Sequence, residues 1–372
     1  MKWERKSLTD FVWFQRGFDL PKDKFVIGEF PVVGSTSILG YHTEAKVKAP
    51  GIVTGRSGTI GQFQFLRTDF WPHNTSLWVK DFKGNDERFA YYLLHTLDFI
   101  SLNGGGAVPS LNRNFLSSVN VKIPPLPTQR KIATILSAYD DLIENNLKRI
   151  KLLEESIRTH YKILMCQNGG SWELQKIEDA YEFSNGYAFY KNGYSEEGKT
   201  VIDLGNISES SNLIMTGKEK YVSELLYDDK KKFHLHKYDV IVAMTDMTSR
   251  LGILAKVALI DDSNKYILNQ RVGRLRSRIS YIDHCFLYAS LSNEEFRNEM
   301  KTKAKGAVQI YFNTKDIIEY EVTLPPIKMI EDFSKVVRPL IDLRFSLNNQ
   351  NTKLREARDI LLPRLMNGQI EV

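Results

Sequence analysis

Leu136, Ile143, Ile150, Ile157 and Leu164 recur every seven residues, with Ile132, Tyr139 and Leu153 on a neighbouring line. Phe333, Leu340, Leu347, Leu354 and Leu361 repeat that spacing near the C-terminus. Sustained heptads with charged flanks such as Lys148, Arg149, Glu154 and Glu155 predict two long helices, each burying one stripe against another helix. Pro124-Pro125 and Pro325-Pro326 lie just upstream, where proline suits helix entry but not a helix interior. Gly169-Gly170 and Gly368 mark the expected ends. At about 35 residues, each helix would span roughly 50 Å. Asn146 falls on the first seam, where a buried amide costs stability but fixes register.

The intervening segments carry a different pattern. Gly51–Thr54, Ser76–Lys80, Val201–Leu204 and Asp239–Ala243 are short β-rich runs bounded by Gly, Asn and Asp. A helical stretch follows in each segment, near Arg88–Phe99 and Asp283–Met300. Both segments therefore read as mixed α/β heads.

The chain also repeats itself. At an offset of 169, Trp3, Glu4, Asp10, Phe14 and Gly17 match Trp172, Glu173, Asp179, Phe183 and Gly186. At an offset of 201, Asn112, Val121, Pro124, Pro125, Leu142, Leu153, Glu155, Leu164 and Met165 match Asn313, Val322, Pro325, Pro326, Leu343, Leu354, Glu356, Leu365 and Met366. The expected fold class is α+β: two related mixed α/β heads joined by two long helices in an antiparallel coiled coil, a tandem duplication with pseudo-two-fold symmetry. Its expected divisions are 1–125 for the first head, 126–168 for the first helix, 169–326 for the second head and 327–372 for the second helix. Each apolar stripe needs a partner, and the nearest is the duplicate helix. With a folded head between the two helices, antiparallel pairing would place the heads at opposite ends. The competing arrangement packs each helix only on its own head.

Composition narrows the class. Hydrophobic residues make up 42% and charged residues 26%, as in a globular protein with real cores. No apolar run reaches the length a membrane-spanning helix needs, and no apolar stretch follows the N-terminal Met-Lys-Trp-Glu-Arg-Lys, so a cytoplasmic protein with no membrane role is expected. Cys166 and Cys285 are too few for a disulfide framework or a thiolate metal site, and no metal is expected. Net charge is +6 and the pI about 9.0, a balance that favours a nucleic acid partner. The charge is uneven: +4 over 1–125 but −2 over 171–325. Binding by the second head must therefore rest on local clusters.

Certain segments are recognisable. Pro124-Pro125-Leu126-Pro127-Thr128-Gln129-Arg130-Lys131-Ile132-Ala133, continued by Leu136–Glu144, resembles the conserved helical region of specificity subunits of Type I restriction–modification systems. Leu361-Leu362-Pro363-Arg364-Leu365-Met366-Asn367-Gly368-Gln369-Ile370 is similar to that family's ending. Gly55-Arg56-Ser57-Gly58-Thr59-Ile60-Gly61, Ser184-Asn185-Gly186-Tyr187-Ala188-Phe189 and Ala243-Met244-Thr245-Asp246-Met247-Thr248 resemble segments of its target-recognition domains. The second helix departs from the pattern, with Ile327-Lys328-Met329-Ile330 in place of the Gln129-Arg130 opening.

The resemblance implies a non-catalytic, DNA-reading subunit of a restriction endonuclease and adenine-specific methyltransferase complex. Its partners would be double-stranded DNA, two methyltransferase subunits docked on the helices, and motor/nuclease subunits in the full assembly. S-adenosylmethionine would be bound by the methyltransferases, and no cofactor by this chain. The residues agree, since there is no Asn-Pro-Pro-aromatic or Asp-Pro-Pro-aromatic tetrapeptide for a flipped adenine and no Gly-rich strand-to-helix turn for the cofactor.

The candidate DNA contacts follow from side-chain chemistry. In the first head they are Arg16, Ser35, Thr36, His42, Arg56, Ser57 and Thr59: hydroxyls and guanidinium groups suited to phosphate contact or guanine readout. In the second they are Asn185, Tyr187, Thr245, Asp246, Thr248, Arg250, Asn269, Gln270, Arg271, Lys303 and Lys305; the amides suit adenine and the cations phosphate. The competing reading of these loops is ordinary hairpin turns. Arg271, Arg274, Arg276 and Arg278 are divided between ion pairing and DNA, and Lys230-Lys231-Lys232 reads as a solvated face beside Asp228 and Asp229. The candidate docking and coiled-coil positions are Gln129, Arg130, Ile132, Leu136, Tyr139, Ile143, Ile150, Leu153, Phe333, Leu340, Leu347, Leu354 and Leu361.

Gly193-Tyr194-Ser195-Glu196-Glu197-Gly198-Lys199-Thr200 fits the spacing of a phosphate-binding loop, but a strand, not a helix, is expected after it, and its two glutamates would repel a nucleotide. Two other readings share the heptads: a coiled-coil scaffold with no DNA-reading role, and a DNA-binding chain without methyltransferase partners. A scaffold would not account for two divergent polar-loop heads. If each head reads half of a bipartite site in the major groove, the half-site centres should lie about one turn, roughly 10 bp, apart, and the two halves should differ.

Overall fold

Each repeat opens with a strand, one turn of helix and a second strand; in the first, Ser7 caps the turn where the apolar pattern begins, and in the second Lys176 holds that place with no side-chain cap. The Asp10 amide donates to Ser7 Oγ at 3.2 Å, and the turn Leu8–Phe11 buries both its apolar ends. The strands on either side are Glu4–Ser7 and Trp13–Arg16. The second repeat builds the same series from Glu173–Lys176, Ile177–Ala180 and Tyr181–Asn185. The opening strand of each repeat then pairs antiparallel with the strand just before its Pro-Pro pair: Glu4 faces Ile123, and Glu173 faces Leu324. The start and end of each head are thereby joined where its long helix begins.

The computed structural model describes residues 3–56, 59–102, 111, 113–167, 172–215, 217–248, 250–278 and 283–372. The chain forms two compact units, one of residues 1–144 with 353–372, the other of residues 145–352.

Both heads use the same strand order. In the first, an antiparallel sheet runs Trp13–Arg16, Ser76–Asp81, Gly51–Gly55, Phe63–Leu66. A second sheet runs Ile38–His42, Phe30–Val33, Trp71–Pro72, whose middle strand is antiparallel to one neighbour and parallel to the other. In the second head the corresponding sheets are Tyr181–Asn185, Val272–Ser277, Val240–Ala243, Val257–Leu259 and Lys220–Val222, Lys199–Ile202, Tyr266–Leu268, with the same mixed polarity. The central strands are buried on both faces, which explains their unbroken apolar composition.

Three expected elements shift. The helix near Arg88–Phe99 is Glu87–His95, started by Asp86, whose carboxylate accepts from the Phe89 amide at 2.9 Å. The stretch Asp283–Met300 is two helices, His284–Leu291 and Glu294–Lys303, broken where Asn293 caps the second through the Phe296 amide at 2.9 Å. Val201–Leu204 is the strand Lys199–Ile202, with Leu204 in a following 3-10 turn. The phosphate-loop spacing therefore ends inside a strand and not at the start of a helix.

The long helices are Leu126–Met165 and Ile327–Met366, each of 40 residues, here called the first and second stems. Gly368 follows the second with φ +76°, and Gly169-Gly170 lie outside the described residues. On the first stem, Leu136, Ile143, Ile150, Ile157 and Leu164 are all buried, as the heptads predict. Within the first unit, Leu136 shares a core with Leu365 and Met366, and Arg358 Nη1 donates to Asp140 Oδ1 at 2.6 Å. Within the second, Asn146 bonds Asn351, and the rings of Tyr161 and Phe333 lie 6.4 Å apart. Positions rise on one stem as they fall on the other, so the pair is antiparallel. Both stems also pack on head cores: Ile132 and Ala133 join the first head's cluster, Ile330 and Val337 the second's.

The second stem's seam differs from the sequence expectation. Phe333 and Leu347 are buried, but Leu340, Leu354 and Leu361 are only partly so. The line buried most deeply is Ile330, Val337, Arg344, Asn351 and Leu365, with Arg358 between the last two. Its polar members hid it from a search for apolar periodicity.

Candidate nucleic-acid interface

In the first head the chain leaves the strand Gly51–Gly55 at Arg56 and is held there from two sides. The Arg56 amide donates to Thr75 O at 3.0 Å, and its carbonyl accepts from the Leu111 amide at 2.9 Å. Thr75 O also accepts from Ser35 Oγ at 3.0 Å, so one carbonyl ties Ser35 and Arg56 together. Arg56 Nε is buried with no hydrogen-bond partner among the described residues. Beside it, His73 sits between Leu20 O at 3.2 Å and Thr75 Oγ1 at 3.0 Å. A carbonyl can only accept, so His73 Nε2 carries the proton, and in the neutral ring Nδ1 accepts from the Thr75 hydroxyl. Asn74 bonds Asp19, which also pairs with Arg16 at 3.4 Å.

Arg16, Ser35 and Arg56 are thus linked through the segment His73-Asn74-Thr75, which the sequence reading did not single out. Its signal was weak, a short polar run between strands. Thr36 and Thr59 are exposed nearby in sequence, and Ser57 lies outside the described residues. His42 is placed differently: its ring packs 4.8 Å from Trp71, and its Nδ1 accepts from the Glu44 amide at 3.0 Å.

The second head makes the same junction from unlike residues. The Met244 amide donates to Arg271 O at 3.2 Å, and Met244 O accepts from the Phe312 amide at 3.3 Å. Leu111 and Phe312 stand at the offset of 201 found in the sequence. Phe18 bridges His73 as Tyr187 bridges Asn269. Just before these bridges, a Cβ at Gly17 would lie 2.1 Å from His73 O, and one at Gly186 2.2 Å from Asn269 O. Only glycine permits that approach, which explains why this pair survives in both repeats.

Around the second junction most of the named residues converge. Gln270 N donates to Tyr187 O at 3.0 Å, Arg271 Nη1 reaches Met247 Sδ at 3.5 Å, and Thr245-Asp246 pairs with Ile310-Tyr311. Asn185 Nδ2 donates to Thr314 Oγ1 at 3.0 Å, and Lys305 pairs through its backbone with Tyr311. Lys230, which the sequence presented as a solvated charge, lies 5.0 Å from the Tyr187 ring centre. Tyr311 and Thr314 were missed, and Lys230 was read as solvated, because only the fold brings them to Thr245, Asn185 and Tyr187.

Other named residues play inward roles. Asp246 is 1% exposed; its carboxylate accepts from Thr248 N, Thr248 Oγ1 and Ile253 N at 2.7, 2.8 and 2.9 Å. Burial opposes its charge, but the hydrogen bonds from Thr248 and Ile253 outweigh it and hold the carboxyl below the usual range. It shapes the loop and offers no free oxygen to a base, and Thr245 is likewise buried. Arg274 is buried and bonds Glu182, while Arg276 grips Asp239 at 2.6 and 2.7 Å. Lys303 pairs with Glu299 at 2.6 Å. Arg250 reaches Glu209 at 3.7 Å with its side chain 82% exposed, and Lys305 and Gln270 are exposed.

The docking positions need correcting in one respect. Gln129 is turned inward: it donates to Asn85 Oδ1 and Pro124 O and accepts from the Asp86 amide, all within 3.0 Å. It pins the stem to the first head and leaves nothing for a partner. Ile132, Leu136, Ile143, Ile150, Phe333 and Leu347 are buried in the cores and seam. The large apolar side chains left exposed on the stems are Ile135, Leu142, Leu147, Leu152 and Ile163 on the first and Ile327, Val336, Leu343 and Ile360 on the second. Arg130 is exposed and lines a groove of about 640 Å³ with Phe65, Arg67 and Arg88.

Two heads of one fold, each with a polar loop cluster, on an antiparallel helix pair define a class. Residues 1–155 and 170–354 match the profile of the Type I restriction modification DNA specificity domain, and the chain belongs to that family of non-catalytic, DNA-recognising subunits. The MjaVIII specificity subunit of Methanocaldococcus jannaschii is 22% identical over 305 residues, covering 77% of this chain and 71% of its own. The MjaIX specificity subunit of the same organism is 25% identical over 315 residues, covering 76% and 69%. In fold, the chain is similar to the crystal structure of the Type I restriction-modification S subunit from M. genitalium, with TM-score 0.66 at 16% identity over 98% of this chain and 96% of that one. Among the described residues, no helix is long and apolar enough to cross a membrane.

Proposed function

We propose that this chain reads a split, asymmetric DNA site, one half per head, within a Type I restriction–modification assembly. The carrying observation is the shared junction: Arg56 between Thr75 and Leu111, and Met244 between Arg271 and Phe312. One backbone frame presents different side chains, which is what two different half-sites require. Arg56 and Arg271 supply guanidinium groups for guanine or phosphate, Gln270 an amide for adenine, and Lys305 a phosphate contact. Thr36 and Thr59 add exposed hydroxyls, while the Thr248 hydroxyl is engaged by Asp246.

The exposed apolar positions of the stems, with Arg130, would dock two methyltransferase subunits that bring S-adenosylmethionine, and motor/nuclease subunits would join them for cleavage. The stems would set the number of unread base pairs between the halves. Selection of duplexes from a random library by the chain bound to its neighbouring methyltransferase tests this reading. It predicts enrichment of two unlike short motifs at a fixed separation. A heptad added to both stems should lengthen that separation; enrichment of one continuous motif would refute the reading.

A further inference from the structure

Two polar contacts cross the stem seam, and two further buried charges, Glu154 and Arg344, lie along it. Asp140 accepts from Arg358 at 2.6 Å, and Asn146 donates to Asn351 at 3.0 Å. Glu154 pairs with Arg158 of its own stem at 3.8 Å, and the positive charge of Arg344 opposes the burial that pushes its carboxyl up. On the second stem these positions are 344, 351 and 358, one heptad apart; on the first they are 140, 146 and 154. The charged positions are anchored beyond the seam: Tyr92 OH donates to Asp140 at 2.5 Å, Asn212 donates to Glu154, and Arg344 donates to Tyr288 OH at 2.6 Å. Arg344 is 1% exposed and Glu154 7%, so these charges are not screened by solvent. Both acids lie on the first stem and both bases on the second.

A seam between two copies of one stem would change the signs. Antiparallel self-pairing of the second stem about Asn351 sets Arg344 against Arg358. Self-pairing of the first about residue 147 sets Asp140 against Glu154. The asparagines are compatible with either seam, and the apolar positions, Ile143 and Ile150 or Val337 and Leu347, do not discriminate. We infer that the charged positions select the pairing of first stem with second and exclude the pairing of either stem with its own copy in another chain. The hydrophobic heptads supply adhesion, and the buried charges supply the choice of partner.

The test uses the full chain with Asn351→Cys in a Cys166→Ser background, refolded from urea at high concentration, oxidised and run on a non-reducing gel. Only a self-paired second stem brings two copies of position 351 together; exchange of a stem between chains would place it beside Asn146. Little cross-linked dimer is expected. Adding Asp140→Arg with Arg358→Asp preserves opposite charges in the chain's own rung, yet makes both self-paired seams opposite in sign. Dimer should then rise roughly tenfold or more. Should that exchange abolish the melting transition, Asp140→Asn with Arg358→Gln removes the like-charge contacts without reversing a sign, and dimer should rise there too. Equal cross-linking in the parent and in the folded variant would overturn the inference.

Discussion

The Asn146 side-chain amide donates to Asn351 Oδ1 at 3.0 Å, with both residues at least 95% buried. The Asn351 amide nitrogen has no partner among the described residues, so the pair satisfies only part of its hydrogen-bonding capacity. Asn351→Leu would strand Asn146 and should cost about 1–3 kcal/mol in urea unfolding. Asn146→Leu with Asn351→Leu removes both polar groups and should recover most of that loss. A double variant less stable than the single one would contradict this view of the rung.

Asp246 makes the second head's stability pH-dependent. Its folded pKa lies below the unfolded value, so its contribution is present above about pH 4 and is lost as pH falls through the folded value. Asp246→Asn should lower stability at pH 7 by about 1–3 kcal/mol. The gap from the parent should narrow on acidification below about pH 4. A gap constant from pH 7 to pH 3 would contradict the assignment.

The two cysteines should behave differently. Cys166 is exposed, whereas Cys285 is fully buried and burial pushes its thiol up to about 12. A thiol reagent at pH 8 should modify one cysteine in the folded chain and both in denaturant. Rapid modification of two in the folded state would show that the helix His284–Leu291 is not packed as described.

Sequence carried far for the fold because the duplication left marks that physics preserves. The Gly17 and Gly186 pair survives because nothing larger fits, and the Ile143–Ile150–Ile157 line because a seam must be dry. What it could not convey came from contacts between distant segments. His73 and Lys230 join the candidate loop clusters only once folding sets them beside Thr75 and Tyr187. Asp246 seemed a contact because it was polar and in a loop; its carboxylate is consumed by Thr248 and Ile253. Arg344 and Arg358 were hidden by their charge in a stripe sought by hydrophobicity.

Lys305 and Arg276 separate binding from folding. Lys305→Ala should weaken DNA binding about uniformly across sequences and reduce the salt slope by about 1, leaving the melting temperature unchanged. Arg276→Ala breaks the bidentate grip on Asp239, which is 2% exposed, and should destabilise the second head by about 3 kcal/mol or more. Calorimetry and salt-dependent binding titrations distinguish the two. A Lys305→Ala chain with unaltered affinity would remove that residue from the interface.

The most direct measurement maps methylated adenines in cells carrying this chain and its neighbouring methyltransferase, beside cells carrying the Arg271→Ala chain. For the unaltered chain the account predicts a split motif with unlike halves. For the variant it predicts that one half loses specificity while the other and the separation stay fixed. Loss of definition in both halves together, or a motif with no unread interval, would contradict it.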